Sequence, residues 1–141
     1  MRKPVKISTN QKRKIQKMIG NILQKEKQIH FSYLHGSFLE NMFRDIDIGI
    51  YIDKNLSKKK QFSYELSLEE KLQNIVSYPV DIRILNHAPL SFSFSVIKNG
   101  IILFSKDENK RIDFETRIFS KYHDFEFYRK RYRREALGIH L

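Results

Sequence analysis

Residues 33–53 read YLHGSFLENMFRDIDIGIYID, and this stretch decides the fold. A Gly-Ser pair ends one apolar run, and an Asp-Ile-Asp sequence opens the next after a short spacer. Because side chains alternate on a β-strand, Asp45 and Asp47 leave the same face, while the isoleucines of residues 46–52 share the other. The segment therefore predicts a strand with one face in a core and two carboxylates on the other.

A third carboxylate extends this pattern. Asp81 lies in YPVDIRILN, residues 78–86, where it alternates with apolar residues in the same way. If the two strands are neighbours, Asp81 can join Asp45 and Asp47, and such like charges repel unless something neutralises them. Oxygen ligands suit Mg²⁺, and three carboxylates on neighbouring strands suit a two-metal nucleotidyl-transfer site with ions roughly 3.5–4 Å apart. These three residues are the candidate metal ligands and catalytic residues.

The Gly-Ser pair, Gly36 and Ser37, predicts a tight turn in which the serine caps a short helix. Such a turn also aims backbone N–H groups at an anion, so the pair is a candidate phosphate site. Arg44, just before the first aspartate, and Arg83, on the face of Asp81, are further candidate phosphate or nucleotide contacts. For Arg83 an ion pair with a neighbouring carboxylate is the alternative. The histidine before the glycine is interpreted as a packed strand residue.

The combination of Gly-Ser, a spacer, Asp-x-Asp and a later strand-borne Asp resembles the DNA-polymerase-β-type nucleotidyltransferase superfamily. The tail, ILNHAPLSFSFSVIKNGIILF followed by YHDFEFYRKRYRREAL, looks like that of its minimal nucleotidyltransferase (MNT) branch. The resemblance covers about Ile15 to Leu137 and implies an α/β (α+β) fold: a small mixed sheet of about four strands flanked by helices. Two positions depart from it, because Phe38 replaces a common arginine and Arg44 a frequent serine.

The resemblance also implies a function. It implies transfer of AMP from ATP, with Asp45 and Asp47 holding two Mg²⁺ ions and Asp81 completing the catalytic one and helping to deprotonate the acceptor. Gly36 and Ser37 would grip the β- and γ-phosphates. Members of the MNT branch are commonly partnered with HEPN-domain toxins, so the implied acceptor is a hydroxyl, expected to be a tyrosine, on a HEPN-type toxin that the protein would silence as an antitoxin.

Length, cysteine content and net charge limit the class of protein and its cellular compartment. A chain of 141 residues predicts one domain, residues 1–141. The lack of cysteine excludes disulfides and thiolate metal sites and is typical of the cytoplasm. No apolar stretch reaches the roughly 20 residues of a membrane span, and the basic N-terminus lacks the apolar region of a secretory signal. The net charge of +11 favours an anionic partner.

Two rival functions use the same residues. In the first, the protein is a non-catalytic antitoxin that docks on a partner, and its carboxylates are structural. In the second, it is a basic nucleic-acid-binding protein. The basic run Arg129–Arg134 is open to three interpretations: a solvated helix end, a docking surface for an acidic partner, or an RNA contact. An intact carboxylate triad disfavours both rivals. Homo- and hetero-oligomers are both open.

The order of predicted elements is α-β-(α)-β-α-β-α-β-α, which favours a small mixed sheet with helices packed on it. The last element is a long helix from about residue 109 to 137. Its apolar residues recur at helical spacing; they are Phe114, Ile118, Phe119, Tyr122, Phe125 and Tyr128. The aromatic stripe Phe119–Tyr122–Phe125 is predicted to belong mostly to the core, and the alternative for part of it is an exposed patch that a partner helix covers.

Overall fold

The computed structural model describes residues 3–53 and 56–137, and its elements follow the predicted order. They are helix α1 (Thr9–Gln24), strand β1 (Ile29–His35), a 3₁₀ turn (Gly36–Leu39), strand β2 (Ile46–Ile52), helix α2 (Lys58–Val76), strand β3 (Val80–Ile84), helix α3 (Leu90–Asn99), strand β4 (Ile101–Ser105) and helix α4 (Glu108–Leu137). Within these described residues no helix is long and apolar enough to cross a membrane.

The strands form one mixed sheet in the order β3-β2-β1-β4. Strand β1 is antiparallel to both β2 and β4, whereas β2 and β3 are parallel. A parallel pair needs a long crossover, and α2 supplies it. The predicted α+β architecture with four strands is therefore confirmed.

The sheet separates two apolar layers. The isoleucines of β2 pack with α1 and α2 on one face, and Ile48 is completely buried there. The other face carries an aromatic cluster in which Phe31 stacks on Tyr51 and both rings contact Phe114 of α4. The predicted alternation along β2 is confirmed, and it leaves Asp47 on the second face.

Truncation of the central isoleucine tests this layering. Ile48→Ala removes a fully buried side chain, and we expect it to lower the free energy of unfolding by about 2–5 kcal/mol, because lost burial adds to a residual cavity. Ile112 of α4 is 50% exposed, so Ile112→Ala should change stability by less than about 0.5 kcal/mol. Urea denaturation of both variants measures the difference, and equal losses would contradict the assignment of the core.

Helix α2 covers the outer edge of β3. Outward-facing backbone N–H groups of the strand donate to side chains that recur every four residues along one face of the helix. The pairs are Val80 to Gln73 Oε1 at 3.0 Å, Ile82 to Glu69 Oε2 at 3.2 Å and Ile84 to Glu65 Oε2 at 2.8 Å. Side chains thus supply the acceptors that a further strand would otherwise provide.

Helix α4 departs from the expectation in its second half. Phe114 and Ile118 are buried, and the Tyr122 ring stacks on Phe94 of α3 with centroids 3.7 Å apart. Beyond this contact the core prediction is wrong for Phe125, which is 52% exposed, and Tyr128 is 65% exposed, so this end of the stripe is the exposed patch considered as the alternative. A helix of 30 residues is about 45 Å long, which is more than the ten-residue α3 can cover.

Candidate active site

The sheet register brings the predicted carboxylates together. Asp47 on β2 is the register partner of Asp81 on β3. Asp45 lies just before β2, and its carboxyl group hydrogen-bonds that of Asp47. All three residues are partly exposed. We call them the carboxylate cluster; their role as metal ligands stays a prediction.

Ionisation of Asp47 is disfavoured by its surroundings. Burial raises the pKa of its carboxyl group to about 7, and the nearby Asp45 and Asp81 add to the effect while Arg83 acts against it. A nearby negative charge disfavours ionisation of a carboxyl group, whereas a bound cation favours it. The cluster is therefore an arrangement in which a positive ion would be strongly stabilised.

The raised pKa of Asp47 has a consequence for stability. Between the ordinary 3.8 and about 7, the folded state binds more protons at this group than the unfolded state does. The contribution of Asp47 to the free energy of unfolding therefore falls as pH rises through this window. Thermal unfolding in a chelating buffer tests this. We expect the melting temperature of the parent protein to fall relative to that of Asp47→Asn as the pH rises through this window. A difference independent of pH would contradict it.

The Gly-Ser pair forms the predicted turn, as the four-residue 3₁₀ segment Gly36–Leu39. The predicted serine cap is wrong, because Ser37 lies inside the segment and His35 is its N-cap, with no side-chain hydrogen bond to the segment. Gly36 has φ of +78°, a conformation that L side chains rarely adopt, and a Cβ placed there would lie 2.2 Å from Oδ2 of Asp47. The Ser37 hydroxyl accepts a hydrogen bond of 3.4 Å from the backbone N–H of Arg44. The turn therefore lies directly against the carboxylate cluster, with its serine linked to the spacer.

The two arginines belong to different segments near the cluster. Arg44 is exposed on the spacer. Arg83 places Nε 3.7 Å from Oδ1 of Asp81, and its guanidinium lies 5.9 Å from the Phe92 ring centroid. The ion pair considered as the alternative for Arg83 is thus present. A phosphate contact by either arginine stays a prediction.

His35 is closer to the cluster than its interpretation as a packed strand residue suggested. It is the register partner of Asp47, and its ring packs edge-on against Phe92 at 5.6 Å. Burial lowers the pKa of its imidazole, and Nε2 is buried with no hydrogen-bond partner among the described residues. Its position directly before Gly36 was the signal that could have placed it at the site.

Lys12 of α1 also belongs to the surroundings of the site. Its ammonium group donates to the carbonyl oxygen of Phe38 at 2.9 Å and to that of Glu40, and lies 5.3 Å from the Phe38 ring centroid. It thereby fixes the end of the turn and the start of the spacer. The sequence carries no signal for this contact, because Lys12 is one of many basic residues on α1.

A groove of about 600 Å³ opens beside Asp81, between α2, β3 and α3. Its walls combine aromatic, aliphatic and basic side chains. They include Phe62, Leu66 and Phe92, with Lys58, Arg83 and His87. Of the carboxylate cluster, Asp81 lines this groove.

The cluster fits a divalent cation by its donor chemistry. Among the residues that the structure describes, no group of three His, Cys, Asp or Glu side chains is arranged as a ready-made metal cage. Asp45 bonds to Asp47 instead, and Asp81 lies near Arg83. Three carboxylates nevertheless provide the oxygen ligands of Mg²⁺, and burial together with the neighbouring Asp45 and Asp81 raises the pKa of Asp47, which a bound cation would lower.

Comparison with known proteins agrees with this geometry. A family model described as polymerase beta, nucleotidyltransferase, matches residues 17–109. That range contains the Gly-Ser turn and the whole carboxylate cluster. Nucleotidyltransferase domains generally use a divalent metal. No curated protein sequence matches the chain significantly.

Solved structures share the fold. A Shewanella oneidensis complex of a tri-AMPylated HEPN toxin with an MNT antitoxin matches with a TM-score of 0.64 and 20% identity, over 86% of this chain and 98% of that chain. A toxin–antitoxin structure with AMP-PNP gives 0.65 and 20%, over 87% and 98%. The MntA–HepT toxin–antitoxin gives 0.63 and 18%, over 92% and 99%.

Proposed function

Because this chain belongs to the polymerase β nucleotidyltransferase family, we propose that it transfers AMP from ATP to a tyrosine hydroxyl of a HEPN-type toxin and acts as its antitoxin. The predicted superfamily is confirmed by the match to residues 17–109. The observation that carries the proposal is the pairing of Asp47 with Asp81 across β2 and β3, with Asp45 hydrogen-bonded to Asp47 and Gly36 against it.

The structural neighbours support the choice of nucleotide and acceptor. One of them is an MNT antitoxin in complex with a tri-AMPylated HEPN toxin, and another toxin–antitoxin structure contains AMP-PNP. They share the fold of this chain at 20% identity. On this basis the acceptor is a protein hydroxyl and the donor is ATP.

Asp45, Asp47 and Asp81 would together hold two Mg²⁺ ions. When bound, such ions neutralise the triphosphate and the departing pyrophosphate. Deprotonation of Asp47 accompanies binding, because its carboxyl group otherwise keeps a proton to about pH 7. Binding of Mg²⁺ should therefore release protons at neutral pH.

The residues of the chain then orient the two reactants. Gly36 leaves room at the turn for a phosphate group close to Asp47, and Ser37 holds the turn against the spacer. The acceptor oxygen forms a bond to the α-phosphorus while the bond from that phosphorus to the bridging oxygen breaks. Pyrophosphate leaves with the electron pair, and Asp81 accepts the hydroxyl proton. Arg44 and Arg83 would add positive charge near the triphosphate.

The test is a transfer reaction with the protein, a HEPN-type partner, Mg²⁺ and ATP labelled at the α-phosphate. The proposal requires label on the partner, located by mass spectrometry on a tyrosine, and label must be absent when the ATP carries it at the γ-phosphate. The cysteine-free chain is suited to the reducing cytoplasm, where we place the reaction.

The strongest rival is a protein that neutralises a toxin by docking alone. Such a protein would inhibit equally well without ATP and would transfer no label. The carboxylate cluster favours the enzyme, because burying Asp47 beside Asp45 and Asp81, which raises its pKa, is a costly arrangement without a function in cation binding. Inhibition that is independent of ATP would establish the rival.

A further inference from the structure

The apolar stripe of α4 continues after the helix leaves the body of the protein. Phe114 and Ile118 are buried against the sheet. At 3.6 residues per turn, Phe125, Tyr128 and Tyr132 follow them on the same side of the helix. These three aromatic side chains are 52%, 65% and 72% exposed. We call them the α4 stripe: a core-type helix face that is largely exposed, where the Tyr128 ring meets the Phe127 ring of the same helix edge-on at 5.6 Å.

Charge surrounds this stripe. Between residues 124 and 134 the sequence carries five basic and two acidic residues. Arg129 and Arg133 fall along one side of the stripe by helical spacing. Arg129 also lies over the Phe125 ring at 5.9 Å and pairs with Glu126 at 2.9 Å. The surface is therefore aromatic at its centre and positive at its rim.

We propose that the α4 stripe is the docking surface for the toxin, and that the toxin presents an apolar helical face with an acidic rim. The inference rests on the proposed function for the identity of the partner. Interface hot spots are enriched in tyrosine and arginine at central, desolvated positions, which is the composition of this segment. Spacing of i, i+3 and i+7 is that of a helix lying against another helix or in a groove.

The positive charge around the α4 stripe favours the toxin over a second copy of the chain as its binding partner. Two copies would bring together positive rims of proteins that each carry a net charge of +11, and like charges across an interface are unfavourable. A single-stranded RNA would also meet aromatic and basic side chains. The aromatic residues that continue a protein-packing face favour a protein partner, so RNA is an outcome of the test.

The experiment compares two faces of the same helical segment. The double variant Tyr128→Ala/Tyr132→Ala removes the outer part of the α4 stripe. Phe127→Ala removes an aromatic ring that is 60% exposed and that starts outside the stripe by helical spacing, although it touches the edge of Tyr128. Calorimetry with the purified HEPN-type partner should show affinity weakened by about 30-fold or more for the double variant, as for hot-spot residues. The Phe127 control should bind within about threefold of the parent. Circular dichroism checks that the helix persists.

Label transfer at saturating partner concentration separates this inference from the proposed function. If label transfers and the double variant binds like the parent, docking by the stripe is wrong and the function stands. If the double variant loses binding and even the parent transfers no label, docking stands and the function is wrong. Equal losses of affinity in the double variant and the Phe127 control would overturn the proposal. So would a parent protein that self-associates and becomes monomeric in the double variant. So would tighter binding of the stripe to a single-stranded RNA oligonucleotide than to the partner.

Discussion

Replacing Asp81 or Asp45 with alanine is expected to reduce transfer of labelled AMP on the order of 10³-fold or more, because groups that act as a unit lose most of their rate when one is removed. The physical reason is the convergence of three carboxylates at one end of β2 and β3. On the proposed function each would contribute oxygen ligands to the bound Mg²⁺, so removing one should leave the others unable to hold the triphosphate in place.

Initial rates with α-labelled ATP measure this effect under conditions where both reactants are saturating. Asp113→Asn provides the matched control, since Asp113 is an exposed aspartate on α4 and should keep full activity. The folded state of the cluster variants should persist, because loss of one carboxylate relieves repulsion around Asp47. A graded loss of a few-fold that added salt reproduces would instead indicate electrostatic docking and would contradict the catalytic assignment.

Gly36→Ala is expected to have the second largest effect. A Cβ at this position would lie 2.2 Å from Oδ2 of Asp47, and the backbone has φ of +78°. Either the turn or the Asp47 carboxylate must move, so we expect transfer to fall on the order of 10²-fold or more, as when reacting groups are misplaced by about 1 Å. The strained backbone should lower the free energy of unfolding by about 1–3 kcal/mol.

Gly20→Ala is the control for this substitution. A Cβ at Gly20 meets only the carbonyl oxygen of Leu103, at 3.8 Å, which is ordinary contact. Because glycine within a helix is less favourable than alanine, this variant should gain about 0.5–1 kcal/mol of stability and keep its activity. Initial rates and urea denaturation of both variants measure the contrast. Normal transfer by Gly36→Ala would show that the close approach to Asp47 has no part in the reaction.

The carboxylate cluster could be predicted because its signal is local. Alternation with a period of two places Asp45 and Asp47 on one face of β2 and the isoleucines on the other. This pattern depends only on the residues of that segment. The place of Asp81 needed one further assumption, that β3 lies next to β2. The parallel pairing of Asp47 with Asp81 bears out that assumption.

Other features could not be predicted because they depend on long-range positions. Lys12 reaches the carbonyl of Phe38 across 26 residues of sequence, and nothing in the composition of α1 separates it from the other lysines. Helical periodicity correctly grouped Phe114, Ile118 and Phe125 on one face. It contained no information about where the body ends along that face, so the burial of Phe125 was predicted wrongly.

The cover that α2 places over β3 limits how this protein can associate with other chains. An extended segment can add to a sheet only where an edge strand offers free N–H groups, which is also how strands recruit one another into aggregates. At β3 those groups already bond to Glu65, Glu69 and Gln73. Growth of the sheet beyond β3 is therefore blocked. A protein acceptor that enters the groove beside Asp81 would have to be held by the side chains of the groove, because it cannot pair with the backbone N–H groups of β3.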